Sequence, residues 1–293
     1  MSNKQKIVII IFVAMFVLLL TLLFINNSSN QVTDELPITT DSVSGIETVV
    51  EDTTSIIEEY VLSESEIALC STIIPDSIPQ RILRRKAYIV SYNDSTKLPN
   101  WVAWHLLSEH TDGPFPRLGN FHEDEEIAPP RATLYDYKGS GWSRGHLCPA
   151  GDNKWSQQAM YESFALSNVC PQNANLNSGL WNSIEIDCRR WANKFEDIYI
   201  VSGPLYLRQE HEIIGENSII VPEAFFKVVL CLNGTPKAFG FIVRNTNGNS
   251  KRDLYYNTVD QVERITGYDF FSALPDGIEE KVEANADIND WRK

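Results

Sequence analysis

The sequence predicts an α+β fold, in which paired strands and separate helices build one folded body. A hairpin is predicted where the apolar segments 225–232 and 237–243 flank the turn residues Asn233 and Gly234. A long helix is predicted over 176–195. Its apolar residues recur at spacings of three and four: Trp181, Ile184, Cys188, Trp191 and Phe195. Strands and helices do not alternate regularly along the chain, which argues against a parallel sheet of βαβ units.

The remaining elements follow from local patterns. Further strands are predicted at 88–92, 101–106 and 198–202, and a further helix is predicted at 156–166. Residues 98–100 (Leu-Pro-Asn) are typical of a turn that opens the second of these strands. Thr258 and Gln261 have the spacing of a capping box at the start of a helix, which Gly267 is expected to close.

A hydrophobic stretch near the start of the chain predicts a membrane anchor. Residues 7–25 form a run of nineteen residues that are apolar except for one Thr, long enough to span a bilayer as a helix. Lys4 and Lys6 precede it, which places residues 1–6 in the cytoplasm. The alternative is a cleaved signal peptide and a secreted protein. We prefer a signal-anchor, with the folded domain periplasmic or on the cell surface, because the run is long and no small-x-small cleavage site follows it.

An acidic segment is predicted to separate this anchor from the folded domain. Residues 26–66 are rich in Ser, Thr, Asp and Glu, and Tyr60 is their only aromatic residue. This composition is typical of a disordered tether. The folded domain is then 67–293. The tether carries much of the formal net charge of -14, so the folded domain is only mildly acidic. Any site for a polyanion must therefore be a local basic cleft.

Five cysteines occur, and none forms a Cys-x-x-Cys pair, which argues against a zinc ribbon. They are Cys70, Cys148, Cys170, Cys188 and Cys231. An odd number excludes complete intramolecular pairing, and the sequence leaves any partial pairing open. Cys188 lies on the apolar stripe of the predicted long helix, and we expect it to be a core thiol.

The stretch 140–191 holds the residues that could carry chemistry. His146 follows Arg144 and Gly145 in a turn-rich segment, where Gly allows the backbone to approach a ligand. A His near its ordinary pKa is a natural general base at neutral pH. The alternative is a His that is satisfied inside the core. The flanking Arg and Gly and the carboxamides that follow favour the catalytic interpretation.

Other polar residues of this region fit phosphodiester hydrolysis. Asn177 is either a helix N-cap or a metal ligand through its amide oxygen, and Mg²⁺ often takes few protein ligands. Glu185 and Arg189 are four residues apart. They form either a surface ion pair or a site acid that orders metal-bound water and an arginine that holds phosphate. Arg144 and Arg117 are further candidates for bidentate phosphate contacts.

Three motifs follow one another closely: Ser-Arg-Gly-His-Leu-x-Pro-Ala (143–150), Ser-Asn-Val-x-Pro-Gln-Asn (167–173) and Asn-x-Gly-x-Trp-x-x-x-Glu-x-x-x-Arg (177–189). They resemble the DNA/RNA non-specific endonuclease family, the ββα-metal group that contains secreted bacterial nucleases and mitochondrial endonuclease G. The resemblance covers about 85–285. It implies a ββα-metal (His-Me finger) nuclease fold, with a central, mainly antiparallel sheet flanked by helices.

The resemblance also implies roles for individual residues: His146 as general base, Asn177 as ligand of Mg²⁺ (with Mn²⁺ as a substitute), Glu185 and Arg189 as site residues, and Arg144 and Arg117 as phosphate contacts. Members of the family cleave DNA and RNA without strong sequence preference and leave 5′-phosphates. One position departs from the family pattern, because Ser143 stands where the family usually has Asp. The loss of that carboxylate bears on how the His-bearing segment is held.

The sequence thus predicts a membrane-anchored, Mg²⁺-dependent, sugar-non-specific endonuclease. Its expected partners are DNA and RNA as substrates and the membrane through 7–25, while a homodimer and an inhibitor protein are left open. The rival hypothesis is a catalytically impaired, membrane-tethered nucleic-acid-binding module of the same fold, supported by Ser143 and the acidic body. Metal-dependent cleavage by residues 67–293 discriminates between the two.

Overall fold

A seven-stranded sheet forms the centre of the structure, a computed structural model that describes residues 60–249 and 251–292. The strand order is β1-β2-β3-β6-β9-β10-β11, and every pair of neighbours is antiparallel. The strands are β1 Arg81–Arg84, β2 Ile89–Asn93, β3 Leu98–Leu107, β4 Ser143–His146, β5 Val169–Gln172, β6 Asp197–Leu205, β7 Ile213–Ile214, β8 Ile219–Ile220, β9 Ala224–Cys231, β10 Lys237–Arg244 and β11 Tyr256–Asn257. Strands β4 and β5 pair with each other outside the large sheet, and so do β7 and β8.

Helices cover both faces of this sheet. They are α1 Glu64–Cys70, α2 Leu134–Tyr137, α3 Gln157–Ser163, α4 Ala174–Leu176, α5 Asn182–Phe195, α6 Val259–Thr266, α7 Asp276–Glu283 and α8 Asn289–Arg292. A π-helical turn, Asn177–Trp181, joins α4 to α5. Short 3₁₀ turns lie at Ser108–Thr111, Ala150–Asp152, Leu166–Asn168 and Arg252–Leu254.

Two hydrophobic cores lie on opposite faces of the sheet because successive side chains of a strand point to opposite sides. On β6, Ile198 and Ile200 belong to the core that also contains the apolar side of α5 and the β4–β5 pair. Tyr199 and Val201 belong to the second core, which contains the buried residues of α6 and α7. The chain therefore forms three layers, and the predicted α+β class with a mainly antiparallel sheet is confirmed.

Local signals in the sequence located several of these elements. The predicted hairpin is β9–β10, in which Cys231 pairs with Lys237. Thr258 caps α6 by accepting a hydrogen bond from the Gln261 N–H, and Gly267 ends that helix in the left-handed region at φ 73°. Each signal involves residues that are close in sequence, so the structure needs no distant partner to fix them.

The predicted turn at 98–100 is wrong, since these residues are the first three of β3. A register shift between Ser91 and Tyr92 on the neighbouring strand accommodates Pro99 opposite Tyr92. Proline is tolerated in sheets at such irregularities and at strand starts. The Asn100 side chain accepts a hydrogen bond from Asn93 Nδ2 at 3.1 Å, which ties the two strands together here.

The helix predicted over 176–195 is not continuous. Residues Asn177–Trp181 form a π-helical turn, and Gly179 has the non-helical angles φ -103° and ψ -105°. Glycine adopts such angles at low cost because it has no Cβ. The apolar period of the sequence does not reveal this interruption, which inserts extra backbone without moving Trp181 and Ile184 out of the core.

The folded domain begins earlier than the expected boundary at residue 67. Ser63 and Glu66 form a capping box at the start of α1, so the last residues of the predicted tether are helical. The predicted cytoplasmic segment, the anchor at 7–25 and the tether up to residue 59 lie outside the described residues. Within 60–249 and 251–292, no helix is long and apolar enough to cross a membrane. All five cysteines are buried free thiols, including Cys188 as predicted.

Candidate active site

Two strands and a helix carry the central residues of the site in consecutive segments of the chain. Strand β4 ends at His146, which pairs with Val169 at the start of the antiparallel strand β5. Asn173 follows β5 and caps α4 by accepting hydrogen bonds from the N–H groups of Asn175 and Leu176. The chain then passes through the π-helical turn into α5. This order places the end of β4 beside the start of the helical segment.

Side chains from neighbouring segments fix the backbone around His146. The Asn168 side chain accepts a hydrogen bond from the Cys148 N–H at 2.9 Å and donates to the Cys148 and Ser163 carbonyls, both at 2.8 Å. Trp181 Nε1 donates to the His146 carbonyl at 3.3 Å. The segment on either side of His146 is therefore held by the helix and by the connection between β4 and β5.

The imidazole of His146 is buried, with only 6% of its surface exposed. It packs between the rings of Phe121 and Phe164, at centroid distances of 4.8 and 5.0 Å. Its Nε2 atom has no hydrogen-bond partner among the described residues. Burial, and then the charges of Arg117 and Arg144, lower the pKa of His146 to about 3. The ring is neutral at neutral pH, and a buried ring nitrogen without a partner is not what the alternative of a satisfied core His predicts.

Both flanking arginines stack on the aromatic rings that enclose His146. The guanidinium of Arg144 lies 4.6 Å from the centroid of Phe121, and that of Arg117 lies 5.2 Å from the centroid of Phe164. Cation–π packing of this kind orients a guanidinium and leaves its N–H groups available at the edge. Arg144 and Arg117, the predicted phosphate contacts, thus lie beside His146.

A cleft of about 810 Å³ opens in front of His146. Its lining residues are Arg117, Phe121, Leu134, Tyr137, Lys138, Trp142, Ser143, Arg144, His146, Pro149, Asn177, Ser178, Asn182 and Glu185. Of these described lining residues, three are Arg or Lys and one is a carboxylic acid. A locally basic cleft therefore exists on a chain with a net charge of -14, as a polyanion site on this sequence requires.

Asn177 reaches the cleft from the first residue of the π-helical turn. Its backbone angles are helical, so the N-cap interpretation is wrong and Asn173 caps α4 instead. No hydrogen bond within 60–249 and 251–292 engages its side-chain amide. An amide oxygen that is partly buried at the wall of a basic cleft is available for a ligand.

Glu185 lies two turns further along, on the same side of the helical segment as Asn177. Burial raises the pKa of Glu185 to about 7; Lys227 acts in the opposite direction and Asp152 adds to the increase. A cation beside Glu185 would favour its charged form. The oxygen donors of Asn177 and Glu185 fit a hard cation such as Mg²⁺, which keeps most of its waters and takes its other ligands from substrate phosphate.

Arg189 lies behind the cleft and is not among its lining residues. Its Nη1 atom donates to Asp152 Oδ1 at 2.8 Å, and Trp104 Nε1 donates to the other carboxylate oxygen at 3.1 Å. A Cβ atom on Gly151 would lie 2.8 Å from the same Nη1 atom, so the guanidinium packs closely against the backbone. Arg189 therefore links α5 to strand β3 of the sheet through Asp152. The described residues contain no ion pair between it and Glu185.

Sequence reasoning missed two residues of this site, Asp152 and Lys227. Lys227 has no exposed surface. Its Nζ lies 4.7 and 4.8 Å from the ring centroids of Trp104 and Trp181 and donates to the Leu147 carbonyl at 3.4 Å. The signal in the sequence was a single Lys within the otherwise apolar strand β9. A charge at such a position is kept inside a protein only where its surroundings compensate it.

A His at the end of a two-stranded ribbon, followed by a helix that presents Asn and Glu to a basic cleft, defines the ββα-metal class of nuclease fold. The sequence profile of the DNA/RNA non-specific endonuclease family matches residues 66–277. The chain therefore belongs to the DNA/RNA non-specific endonuclease family, as the sequence motifs indicated.

Relatives with known names support this assignment. The chain is 36% identical to "Nuclease EXOG, mitochondrial" of Homo sapiens over 205 residues, which are 64% of this chain and 56% of that protein. It is 34% identical to "Nuclease C1" of Cunninghamella echinulata var. echinulata over 209 residues, 66% of this chain and 83% of that protein. The chain thus spans little more than half the length of human EXOG.

A solved structure shares the fold. The "Crystal structure of the EndoG/EndoGI complex: Mechanism of EndoG inhibition" contains a chain that is 28% identical to this one, with a TM-score of 0.63. The match covers 68% of this chain and 88% of that chain. This agreement extends the family assignment from sequence to three-dimensional architecture.

Proposed function

We propose that the protein is a metal-dependent, sugar-non-specific endonuclease that hydrolyses phosphodiester bonds of DNA and RNA to 5′-phosphate products. The observation that carries the proposal is the neutral His146, whose Nε2 has no partner among the described residues and which lines a basic cleft. Membership of the family, and relatives named as nucleases, support the same activity.

His146 acts as the general base. Its imidazole accepts a proton from the water that attacks phosphorus, which requires the ring to be neutral beforehand. The surroundings that lower its pKa also disfavour the imidazolium, so the proton is passed on to solvent rather than retained. Arg117 and Arg144 bind non-bridging phosphate oxygens and stabilise the charge that develops on them.

Asn177 and Glu185 are the residues that would hold the cofactor, Mg²⁺ with Mn²⁺ as a substitute. When bound, the cation supplies Lewis-acid stabilisation of the phosphoryl group and of the leaving 3′ oxygen. Asn177 would contribute its amide oxygen, and Glu185 would accept hydrogen bonds from water near the cation. Arg189 and Asp152 hold α5 in position, so that Glu185 faces the cleft. Contacts mainly to phosphate explain a lack of sequence preference.

Plasmid nicking by residues 60–293 tests the proposal, with Mg²⁺, with EDTA and with His146→Ala. We expect EDTA to abolish cleavage and His146→Ala to lower the rate by about 10²–10⁴-fold. His211→Ala is the matched control, because His211 pairs with Glu223 and does not line the cleft. A folded, unmutated protein that cleaves nothing with any divalent cation would instead support the catalytically impaired binding module, and Ser143→Asp would then be the next variant.

We further propose that residues 7–25 anchor the nuclease domain on the extracytoplasmic side of a membrane. The length of the apolar run and the preceding lysines support this proposal. Carbonate extraction of membranes that contain the full chain tests it: an anchored chain stays in the pellet, whereas a cleaved and secreted chain is found in the medium with a new N-terminus.

An inhibitor protein is a further partner that we propose. The similar solved structure is described as EndoG in complex with EndoGI and concerns inhibition of EndoG. A basic cleft with free polar groups offers an acidic protein surface the same contacts as a polynucleotide. The sequence leaves a homodimer open, and analytical ultracentrifugation of residues 60–293 measures the oligomeric state directly.

A further inference from the structure

Three carboxylates meet on the face of the sheet opposite the cleft. Asp260 and Glu263 are on α6, and Glu283 is the last residue of α7. One carboxylate oxygen of each lies within 4.8 Å of the others. Helices α6 and α7 pack on the second core, whereas the β4–β5 pair and α5 belong to the first. The cluster is therefore separate from the residues that the nuclease proposal uses.

Glu283 is the unusual member of the cluster. It is only 8% exposed, and its Oε1 atom has no hydrogen-bond partner among the described residues. It also lies at the C-terminal end of α7, where the helix dipole disfavours a negative charge.

No Lys, Arg or His within residues 60–249 and 251–292 forms an ion pair with this cluster. Glu263 Oε1 accepts a hydrogen bond from the Phe270 N–H at 2.9 Å. This bond satisfies one oxygen but does not neutralise the negative charge of the carboxylate. A buried carboxylate without a partner is costly, so a ligand that supplies positive charge would be strongly favoured here.

We propose that Asp260, Glu263 and Glu283 bind a divalent cation of the size and hardness of Ca²⁺. Three carboxylates suit Ca²⁺, which takes about six to eight oxygen ligands, whereas Mg²⁺ keeps several waters and usually binds only one or two carboxylates. One oxygen of each residue lies within 4.8 Å of the others, so a single ion can contact all three. Asp260 is accessible to solvent, so water completes the coordination. The bound ion joins α6 to α7 and stabilises that helical layer without taking part in cleavage.

Calcium titration of residues 60–293 in the Asn177→Ala background tests this inference, because that substitution removes the proposed metal ligand of the cleft. We expect calorimetry to detect one Ca²⁺ per chain, and we expect 1 mM Ca²⁺ to raise the Tm by about 3–6 °C when that concentration is tenfold above Kd. Adding Glu283→Gln should abolish both effects. Adding Glu280→Gln, on the exposed side of the same helix, should preserve both.

Asp260→Asn provides a second variant, because Asp260 is accessible to solvent and its replacement leaves the core intact. This substitution should weaken Ca²⁺ binding at least tenfold. The inference fails if the Asn177→Ala protein binds no Ca²⁺, or if Glu283→Gln and Asp260→Asn both bind as tightly as their parent. It also fails if Glu283→Gln raises the Tm in EDTA while Ca²⁺ changes the Tm of neither protein. That last result identifies a protonated carboxyl cluster instead.

Discussion

At the scale of single residues, the chemistry of the site depends on the protonation states of His146 and Glu185. His146 is kept neutral by burial and by two arginines, and Glu185 is held near its titration point by burial against the charge of Lys227. His146 is therefore an unprotonated base, and Glu185 is an acid that titrates near neutral pH; both line the same cleft. Apart from Arg144, which is two residues from His146, the charged neighbours Arg117 and Lys227 are distant in sequence from the groups that they affect.

Stability should depend on pH through His146. Its pKa falls from 6.5 to about 3 on folding, so the folded state resists protonation. The resulting stabilisation is complete above pH 6.5 and is lost progressively as the pH falls towards 3. When the pH falls from 7.5 to 5, the unmutated protein should lose more stability than His146→Ala, by up to roughly 2 kcal/mol. Urea unfolding at the two pH values measures both losses. Equal losses for both proteins would contradict the depressed pKa.

Lys227→Met should shift the pH dependence of cleavage. Lys227 lowers the pKa of Glu185, so its removal should raise that pKa above about 7 and leave less ionised Glu185 at neutral pH. We expect the acid limb of kcat/KM to move upwards by about one pH unit. Lys237→Met, a change of the same kind on β10 outside the cleft, serves as the control. A uniformly lower rate with an unmoved profile would indicate only a packing role for Lys227.

At the scale of elements, the ribbon of β4 and β5 depends on a close approach that only glycine allows. A Cβ on Gly145 would lie 2.3 Å from Gln172 Oε1 and 2.6 Å from Gln172 Cβ. Such distances force the two strands apart, and His146 is the next residue along β4. The glycine of the Arg-Gly-His motif is thus required by packing between the strands, and a turn does not explain it.

Gly145→Ala should therefore damage both stability and cleavage. We expect a loss of about 1–3 kcal/mol, as is typical of overpacking, together with a lower rate because His146 moves with its strand. Gly277→Ala is the control, because a Cβ there meets no atom within 4 Å. Circular dichroism during urea titration, followed by plasmid nicking, measures both effects. Unchanged stability in Gly145→Ala would mean that the Gln172 side chain moves aside at no cost.

Elements that depend on neighbouring residues could be predicted from the sequence, while interruptions and boundaries could not. The β9–β10 hairpin and α6 follow from turn and capping residues a few positions apart. The π-helical turn was missed because a single insertion leaves the apolar period of α5 intact. The start of α1 was missed because its acidic composition matches that of a tether. Long-range bonds fix this helix: His105 contacts Glu66 of α1 and Asp197 of β6 at 2.5 and 2.7 Å.

The same distinction separates the site residues. His146, Asn177 and Glu185 were predicted because their residue types and spacing match the chemistry and the motif, and the structure brings all three to one cleft. Arg189 was found, but its position behind the cleft was not, because its partner Asp152 is 37 residues away in sequence. Lys227 was missed for the same reason: only the assembled sheet brings it beneath Glu185.

At the scale of the whole molecule, one buried ion pair connects the helical layer of the site to the central sheet. Asp152 joins Arg189 of α5 to Trp104 of β3, with side-chain exposures of 1% for Asp152 and 20% for Arg189. Removing one partner of such a pair leaves an uncompensated charge in a poorly solvated place. The stability of the layered body and the alignment of the site thus rest on the same contact.

Asp152→Asn should lower the free energy of unfolding by about 3 kcal/mol, because it leaves Arg189 without a countercharge. The exposed pair between Asp253 and Arg292 has the same distance of 2.8 Å. Asp253→Asn should therefore cost less than about 1 kcal/mol, since solvent screens that pair. Urea unfolding of both variants provides the comparison. Similar losses for the two would show that burial does not set the strength of the pair.

The five unpaired, buried thiols make it possible to measure how often each part of the folded domain opens. They are spread from α1 through β5 and α5 to β9, and each is inaccessible in the folded state. A thiol reagent can label them only in molecules whose structure has opened, so the labelling of each cysteine reports the opening of its own segment. Because the described residues contain no disulfide, the chain can refold with reductant present. The native cysteines serve as the labelling sites, so no cysteine has to be introduced.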